Sequence, residues 1–252
     1  MNTIVGDGVL LPVLILAMAL LYSSVGHAGA SGYLAAMALF GVSPTIMKPS
    51  ALLLNILVAS IATVQFARAG RVSWSVLWPF TVGSIPFAFL GGALHLPGTI
   101  DKPLVGAVLL FAAGRLLWFT FRHMASQTRG IRNVPTVPAV VAGAVLGLLA
   151  GLTGTGGGIF LSPLLLFTGW AEIRETAGIS AAFILVNSVA GLAGNLTSVQ
   201  QVPAAVLVWA AAAAMGGLVG AGLGSRRLAG TTLRRLLALV LVIAGTKLLL
   251  GI

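Results

Sequence analysis

Long apolar runs, separated by short polar stretches, cover almost the whole chain and divide it into ten segments. Hydrophobicity within each run is continuous and does not alternate, which favours membrane-spanning helices over the short alternating strands of a transmembrane barrel. The segments are Val5–Ser24, Ala28–Phe40, Pro49–Phe66, Val72–Leu94, Pro103–Phe121, Pro135–Thr153, Gly157–Thr168, Ala177–Thr197, Val202–Leu223 and Leu233–Leu250.

Eight of the ten segments are long enough to span, because about 20 helical residues cross a hydrocarbon core of roughly 30 Å. The other two, Ala28–Phe40 and Gly157–Thr168, hold only about a dozen residues by the same measure of helix rise. Each follows a glycine-rich stretch. The pattern predicts either marginal crossings or re-entrant half-helices at these two places.

Composition places the chain in the membrane class. Of its 252 residues, 58% are hydrophobic and 7% are charged, whereas about a quarter are charged in a soluble domain. The first apolar run differs from a signal peptide, since Asp7 is the only charge before His27 and no polar domain follows. The absence of cysteine excludes disulfides and thiolate metal sites.

The distribution of basic residues predicts the topology. The net charge of +10 is typical of Lys and Arg at cytoplasmic helix ends, and we do not read it as a nucleic-acid surface. If all ten segments cross, ten arginines fall on one side and Lys48 and Lys102 fall on the other, with Lys247 near the end of the last helix. The positive-inside rule therefore favours ten crossings with both termini outside. The arginines on the common side are Arg68, Arg71, Arg122, Arg129, Arg132, Arg174, Arg226, Arg227, Arg234 and Arg235.

The two glycine-rich stretches indicate an internal duplication. We call Gly26–Gly32 the first break and Gly154–Gly158 the second break. Five crossings per half would insert the second half upside down relative to the first, an arrangement typical of secondary transporters. The expected fold is therefore all-α and polytopic, with residues 1–125 and 135–252 as inverted repeats and 126–134 as a basic cytoplasmic linker. The matched pairs are Gly26 and Gly154, Gly29 and Gly157, Gly41 and Gly169, Asn55 and Asn187, Gly92 and Gly222, and Gly114 and Gly245.

The breaks are the candidate substrate site. Glycines at the start of a short helix leave backbone N–H groups accessible, and these donors, with the positive end of the helix dipole, favour an anion. The candidate residues are Gly26, His27, Gly29, Gly154, Thr155, Gly156, Gly157 and Gly158. Close helix packing is the alternative role of small residues, and we prefer it for Gly91, Gly92, Gly216, Gly217, Gly220 and Gly222.

Polar side chains within apolar runs add further candidates. Asn55 and Asn187 occupy matched segments and either bond across helices or face a polar cavity. His27 could titrate or donate to an anion. Lys48 is either an ordinary surface lysine or a cation that attracts anions into an outer vestibule. Weaker candidates are Ser50, Thr63, Gln65, Ser180, Ser188 and Asn195.

Acidic residues are scarce and are all expected in tails or loops, at Asp7, Asp101, Glu172 and Glu175. A cation pump needs an intramembrane carboxylate as a relay, so this function is disfavoured. We expect no metal site and no cofactor. A passive anion channel, a permease for another small anion, and a membrane enzyme or assembly factor stay open as alternatives, although no buried acid–base pair favours an enzyme.

The second copy resembles the TauE/SafE sulfite exporters. The resemblance rests on Gly151–Pro163 (GLTGTGGGIFLSP), the following Leu-Phe-Thr-Gly169, and Ala177 to Asn187. A degenerate copy runs from Gly26 to Asn55, where Ala28, Ala30 and Ser31 interrupt the glycines.

This family resemblance implies a permease of the bacterial inner membrane, or of an archaeal plasma membrane, that moves sulfite or a short organosulfonate. It also implies that the breaks and the paired asparagines line the substrate path. The residues alone predict a transporter for a small anion. The sulfur-containing substrate and the direction of export are what the resemblance implies. Membrane lipid and a second copy of the chain are the expected partners, and nucleic acid is not.

Overall fold

The computed structural model describes residues 9–94, 97–121, 134–196 and 202–226, and six positions between 242 and 250. These residues form nine α-helices and contain no strand. The helices are α1 Leu10–Ser23, α2 Ala30–Leu39, α3 Pro44–Arg68, α4 Trp74–Ala93, α5 Gly98–Phe121, α6 Thr136–Thr153, α7 Gly158–Thr168, α8 Ile173–Gly194 and α9 Val206–Arg226. Most of the tenth segment and of the linker 126–134 lies outside the described residues.

Five of the described helices (α3, α4, α6, α8 and α9) are long and apolar enough to cross a membrane. Their outward faces carry large apolar side chains, such as Val82 on α4, Val141 on α6 and Leu218 on α9, each more than half exposed. In water such a surface would be unfavourable, whereas lipid tails accommodate it. The chain is therefore a multi-pass helical membrane protein.

A short helix follows each glycine break, as predicted. The helices α2 and α7 have 10 and 11 residues, so they rise about 15 and 17 Å, roughly half the hydrocarbon thickness. Every residue of α2 from Ala30 to Ala38 is buried, which is the pattern of a helix surrounded by protein on all sides.

Three helix pairs pack with their backbones in close contact: α4 with α6, α1 with α9, and α4 with α8. A methyl group at Gly143 or Gly147 of α6 would overlap a carbonyl oxygen of α4, and one at Gly216 or Gly220 of α9 would overlap a carbonyl oxygen of α1. The packing role predicted for the scattered glycines is therefore correct at Gly91, Gly92, Gly216, Gly217 and Gly220, where an added Cβ would press on a neighbouring helix.

Helix boundaries differ from the predicted segments at two functional places. The helix α3 begins at Pro44 instead of Pro49, so Lys48 lies inside it. The helix α8 begins at Ile173 instead of Ala177, so Glu175 lies in its first turn and not in a loop. There Glu172 and Glu175 form a reciprocal capping box that satisfies the first amides of α8. Apolar periodicity could not locate these starts, because Arg174 and Glu175 make the first turn of α8 polar and because Lys48 and the internal Pro49 interrupt the apolar run of α3.

Candidate functional site

The two breaks share a backbone conformation. Gly26 and Gly154 follow α1 and α6 with φ of +77° and +72°, and Gly29 and Gly157 are the N-caps of α2 and α7 with φ of +116° and +79°. Gly41 and Gly169 each follow the short helix with φ of +72°. L-residues rarely adopt this left-handed region, which explains why glycine stands at all three matched pairs.

Both short helices start without a side-chain cap. The first N–H groups of an α-helix have no partner within the helix, and they lie at the positive end of its dipole. In α7 the amides of Phe160 and Leu161 both donate to the Gly157 carbonyl, at 3.0 and 3.2 Å, which closes the first turn. The amides ahead of that turn are the donors that a small anion would use.

The second break is held between α3 and α8. A Cβ on Gly154 would lie 3.2 Å from the Cα of Lys48 on α3. A Cβ on Gly156 would lie 2.9 Å from the Ser188 hydroxyl oxygen on α8 and 3.1 Å from Nδ2 of Asn55 on α3. The absence of a side chain at Gly156 therefore lets the backbone reach polar groups of both helices.

Asn55 is brought to the second break, where it bonds across helices. Its side chain is fully buried, and Nδ2 lies 3.4 Å from the Ser188 hydroxyl oxygen. Its Oδ1 is buried without a hydrogen-bond partner among the described residues. A buried amide oxygen left unpaired costs about 1–3 kcal/mol, so such atoms mark positions where a ligand, water or rearrangement supplies a donor.

Asn187 is also fully buried on α8, but its amide bonds within its own helix. Nδ2 donates to the Phe183 carbonyl at 2.8 Å, which fixes the orientation of the amide, and Oδ1 has no hydrogen-bond partner within the described part of the chain. Phe183 lies one turn earlier on the same face, and its ring would contact a Cβ on Gly157 at 3.0 Å. The carbonyl that holds the Asn187 amide therefore belongs to the residue whose ring meets the second break.

The first break reaches α7 and α8 through a buried chain of side chains. Nε2 of His27 lies 2.9 Å from the Ser162 hydroxyl oxygen on α7, and that oxygen lies 2.7 Å from the Ser180 hydroxyl oxygen on α8. All three residues are buried. A Cβ on Gly26 would overlap the carbonyl oxygen of Ala177, so the backbone of this break also packs on α8.

Lys48 and Thr155 complete the predicted set. Lys48 is only 8% exposed, so it is not an ordinary surface lysine. Thr155, the residue that the predicted duplication matches with His27, bonds locally, with its hydroxyl 2.9 Å from that of Thr153. Because the Thr153 hydroxyl donates to the Leu149 carbonyl at 2.7 Å, Thr155 is the donor between the two threonines.

Sequence reasoning missed Ser162 and gave Ser180 and Ser188 little weight. The signal for Ser162 was present, because it is the one polar residue in the interior of α7. Gln65 donates to the Leu218 carbonyl of α9 at 3.2 Å, at an exposed position away from the breaks. Among the described residues, no group of three His, Cys, Asp or Glu side chains could hold a metal ion. The site offers amides, hydroxyls, an imidazole and one lysine.

Comparison with known proteins decides the family. The family model described as sulfite exporter TauE/SafE matches residues 10–248. The chain belongs to this family. The match confirms the TauE/SafE resemblance seen in the second break. As a member of this family, the chain is a membrane transporter.

Proteins similar to this TauE/SafE member are also described as membrane transporters. A probable membrane transporter protein of Sinorhizobium fredii is 42% identical over 92% of this chain and 94% of its own length. Probable membrane transporter proteins of Methanocaldococcus jannaschii and Bacillus subtilis are 25% and 24% identical over 55% and 63% of this chain, and over 51% and 54% of their own lengths. No solved structure matches the chain significantly.

Proposed function

We propose that this protein is a secondary transporter that exports a small sulfur-containing anion, sulfite or a short organosulfonate, by alternating access at a midplane site. The observation that carries the proposal is the junction of Gly156, Asn55 and Ser188, where an uncapped helix start meets buried amide and hydroxyl groups.

The chemistry of the junction suits a small oxyanion. Backbone and side-chain N–H groups and hydroxyls supply hydrogen-bond donors, and the buried Lys48 supplies a positive charge. The acidic side chains of α8 lie at the first turn of that helix. Neutral donors bind an anion without a full counter-charge at each contact, so the substrate is able to leave again. The sulfur identity and the export direction are carried over from the family.

The duplication supports an inverted repeat of two five-segment halves, residues 1–125 and 135–252. In this repeat α1 corresponds to α6, α3 to α8, and α4 to α9. The contact of α4 with α6 then corresponds to the contact of α9 with α1. The contact of α4 with α8 likewise matches that of α9 with α3. With ten crossings, both termini would lie outside and α2 and α7 would enter from opposite faces.

Burial of the site supports alternating access. Asn55, Asn187, Thr155 and His27 are all at most 5% exposed, so a substrate held there would be closed off from both aqueous sides. Exchange with either side then requires a conformation in which one break separates from the helix it packs on. The close-packed pairs α4–α6 and α1–α9 are suited to move as units, because their backbones are in contact.

The test is flux of sulfite and of ethanesulfonate into proteoliposomes, comparing the wild type with Gly157→Leu and Asn187→Leu. We expect saturable flux in the wild type and a loss of at least tenfold in both variants. Gly169→Leu places the same side chain at a left-handed φ in open space, so it is the matched control for Gly157→Leu. Unchanged flux in well-folded site variants would refute the site.

The same preparation separates the alternatives. A passive channel would conduct in proportion to voltage without saturating at low substrate concentration. A permease for a non-sulfur anion would show saturable counterflow that sulfite does not inhibit. A membrane enzyme or assembly factor would show no flux of any tested anion.

A further inference from the structure

The hydrogen bonds of His27 fix its tautomer. Nδ1 lies 3.0 Å from the Val25 carbonyl oxygen. A carbonyl only accepts, so Nδ1 carries a hydrogen and Nε2 is the nitrogen that gains or loses one. Nε2 faces the hydroxyl of Ser162 at 2.9 Å. A hydroxyl both donates and accepts, so this partner suits either protonation state.

The network accommodates both states without moving heavy atoms. With neutral His27, the Ser162 hydroxyl donates to Nε2 and accepts from Ser180 at 2.7 Å. With protonated His27, Nε2–H donates to Ser162, whose own hydrogen turns to the Gly158 carbonyl oxygen, already 3.0 Å away. A solvent proton thus forms one N–H bond at Nε2, and within the Ser162 network the accompanying change is rotation of one hydroxyl.

The charges around the first break favour a bound anion when His27 is protonated. The charged side chains on α3 and α8 and at the ends of these two helices are Lys48, Arg68, Arg71, Glu172, Arg174 and Glu175. Tyr22 and Tyr33 are the neighbouring phenols, and Tyr33 donates to the Ala28 carbonyl at 2.6 Å. Four cations stand against two carboxylates, so a proton on His27 adds to an existing excess of positive charge.

We propose that His27 takes up a proton together with the anion, which makes transport proton-coupled. The inference rests on the proposed anion transport and names its coupling ion. By linkage, an anion that favours protonated His27 must itself bind more tightly when His27 is protonated. Imidazole suits this role because it exchanges its proton near physiological pH. The chain thereby obtains a proton carrier without an intramembrane carboxylate.

The first test measures proton uptake on anion binding by calorimetry of the detergent-solubilised protein at neutral pH, in two buffers of different ionisation enthalpy. The probe is ethanesulfonate, which stays fully ionised, so any proton taken up belongs to the protein. We expect uptake in the wild type and none in His27→Gln. Anion binding without proton uptake, or equal uptake in His27→Gln, would overturn the coupling while leaving anion transport intact.

A second pair of variants tests the network itself. Ser162→Ala removes the hydroxyl that changes its donor role and should reduce proton uptake, whereas Ser60→Ala should not. The Ser60 hydroxyl bonds only the Ile56 carbonyl of its own helix among the contacts of the described residues, at 2.6 Å. Equal proton uptake in the two variants would show that the Ser162 hydroxyl does not support protonation of His27.

NMR measures the protonation of His27 in a protein that keeps this histidine, so the test does not depend on the folding of a His27 variant. In a His95→Gln/His123→Gln background, His27 is the single histidine, and its imidazole signals report its protonation directly. We expect ethanesulfonate to move the titration midpoint of His27 to higher pH. An unmoved midpoint with the anion bound would overturn the proposal. Absence of binding by both ethanesulfonate and sulfite would instead count against the proposed transport function.

Discussion

Asn55 and Ser188, 133 positions apart in the chain, meet between α3 and α8 with Nδ2 3.4 Å from the hydroxyl oxygen. Gly156 of the second break closes over both side chains. The contact joins helices of the two proposed repeats at the start of α7. A substrate bound at this helix start would touch both halves, which is the arrangement that couples binding to relative movement.

Gly156→Ala should reduce sulfite flux at least tenfold. The added Cβ would press on Ile184, Ser188 and Asn55, and the left-handed φ of +72° adds strain of about 1–2 kcal/mol. Gly169→Ala has an identical φ with no atom within 4 Å of the new Cβ, so it carries the strain alone. Proteoliposome flux normalised to folded protein distinguishes them, and equal losses would show that backbone strain is the whole effect.

Lys48→Met should weaken the binding of a small anion and raise KM more than it lowers kcat. The side chain is buried beside Gly154, where its charge acts through a less polar medium than water. Lys102→Met is the control, because Lys102 is exposed and its charge is screened. Concentration-dependent flux measures both parameters. A KM unchanged by Lys48→Met would place this cation outside the anion path.

Gly220→Ala should destabilise the protein by about 1–3 kcal/mol through overpacking. The new methyl group would overlap the Leu20 carbonyl oxygen of α1, which forces α1 and α9 apart. Gly114→Ala on α5 meets nothing within 4 Å and should be neutral or stabilising by about 0.4–1 kcal/mol. Thermal unfolding in detergent compares the two, and similar midpoints would contradict close backbone packing of α1 and α9.

Tyr33→Phe should loosen the first break. The buried phenol donates to the Ala28 carbonyl at 2.6 Å, and its loss leaves that carbonyl unpaired, at a cost of about 1–3 kcal/mol. Thr81→Val removes an exposed hydroxyl bonded to the Trp78 carbonyl one turn earlier and should change stability little. Hydrogen exchange of the amides near His27 reports the loosening. Protection equal to that of the wild type would exclude this role for Tyr33.

Several features were predictable because they depend on local physical chemistry. Continuous apolar runs indicate membrane helices, since a lipid-exposed backbone must satisfy its own hydrogen bonds. Glycine at Gly29 and Gly157 indicates a special backbone conformation, and both are left-handed N-caps of short helices. The starts of α3 and α8 were not predictable in this way, because Lys48 and Pro49 interrupt the apolar run of α3 and Glu175 lies in the polar first turn of α8.

The amino-acid sequence by itself determined the membrane class, the positions of the two breaks and the short helices after them, because hydropathy and glycine act over a few residues. Only the tertiary structure decided the partners of the candidate side chains. His27 meets Ser162 across 135 positions, while its counterpart Thr155 bonds Thr153 nearby. Such contacts depend on how helices stack, and stacking depends on the shapes of surfaces contributed by distant parts of the chain.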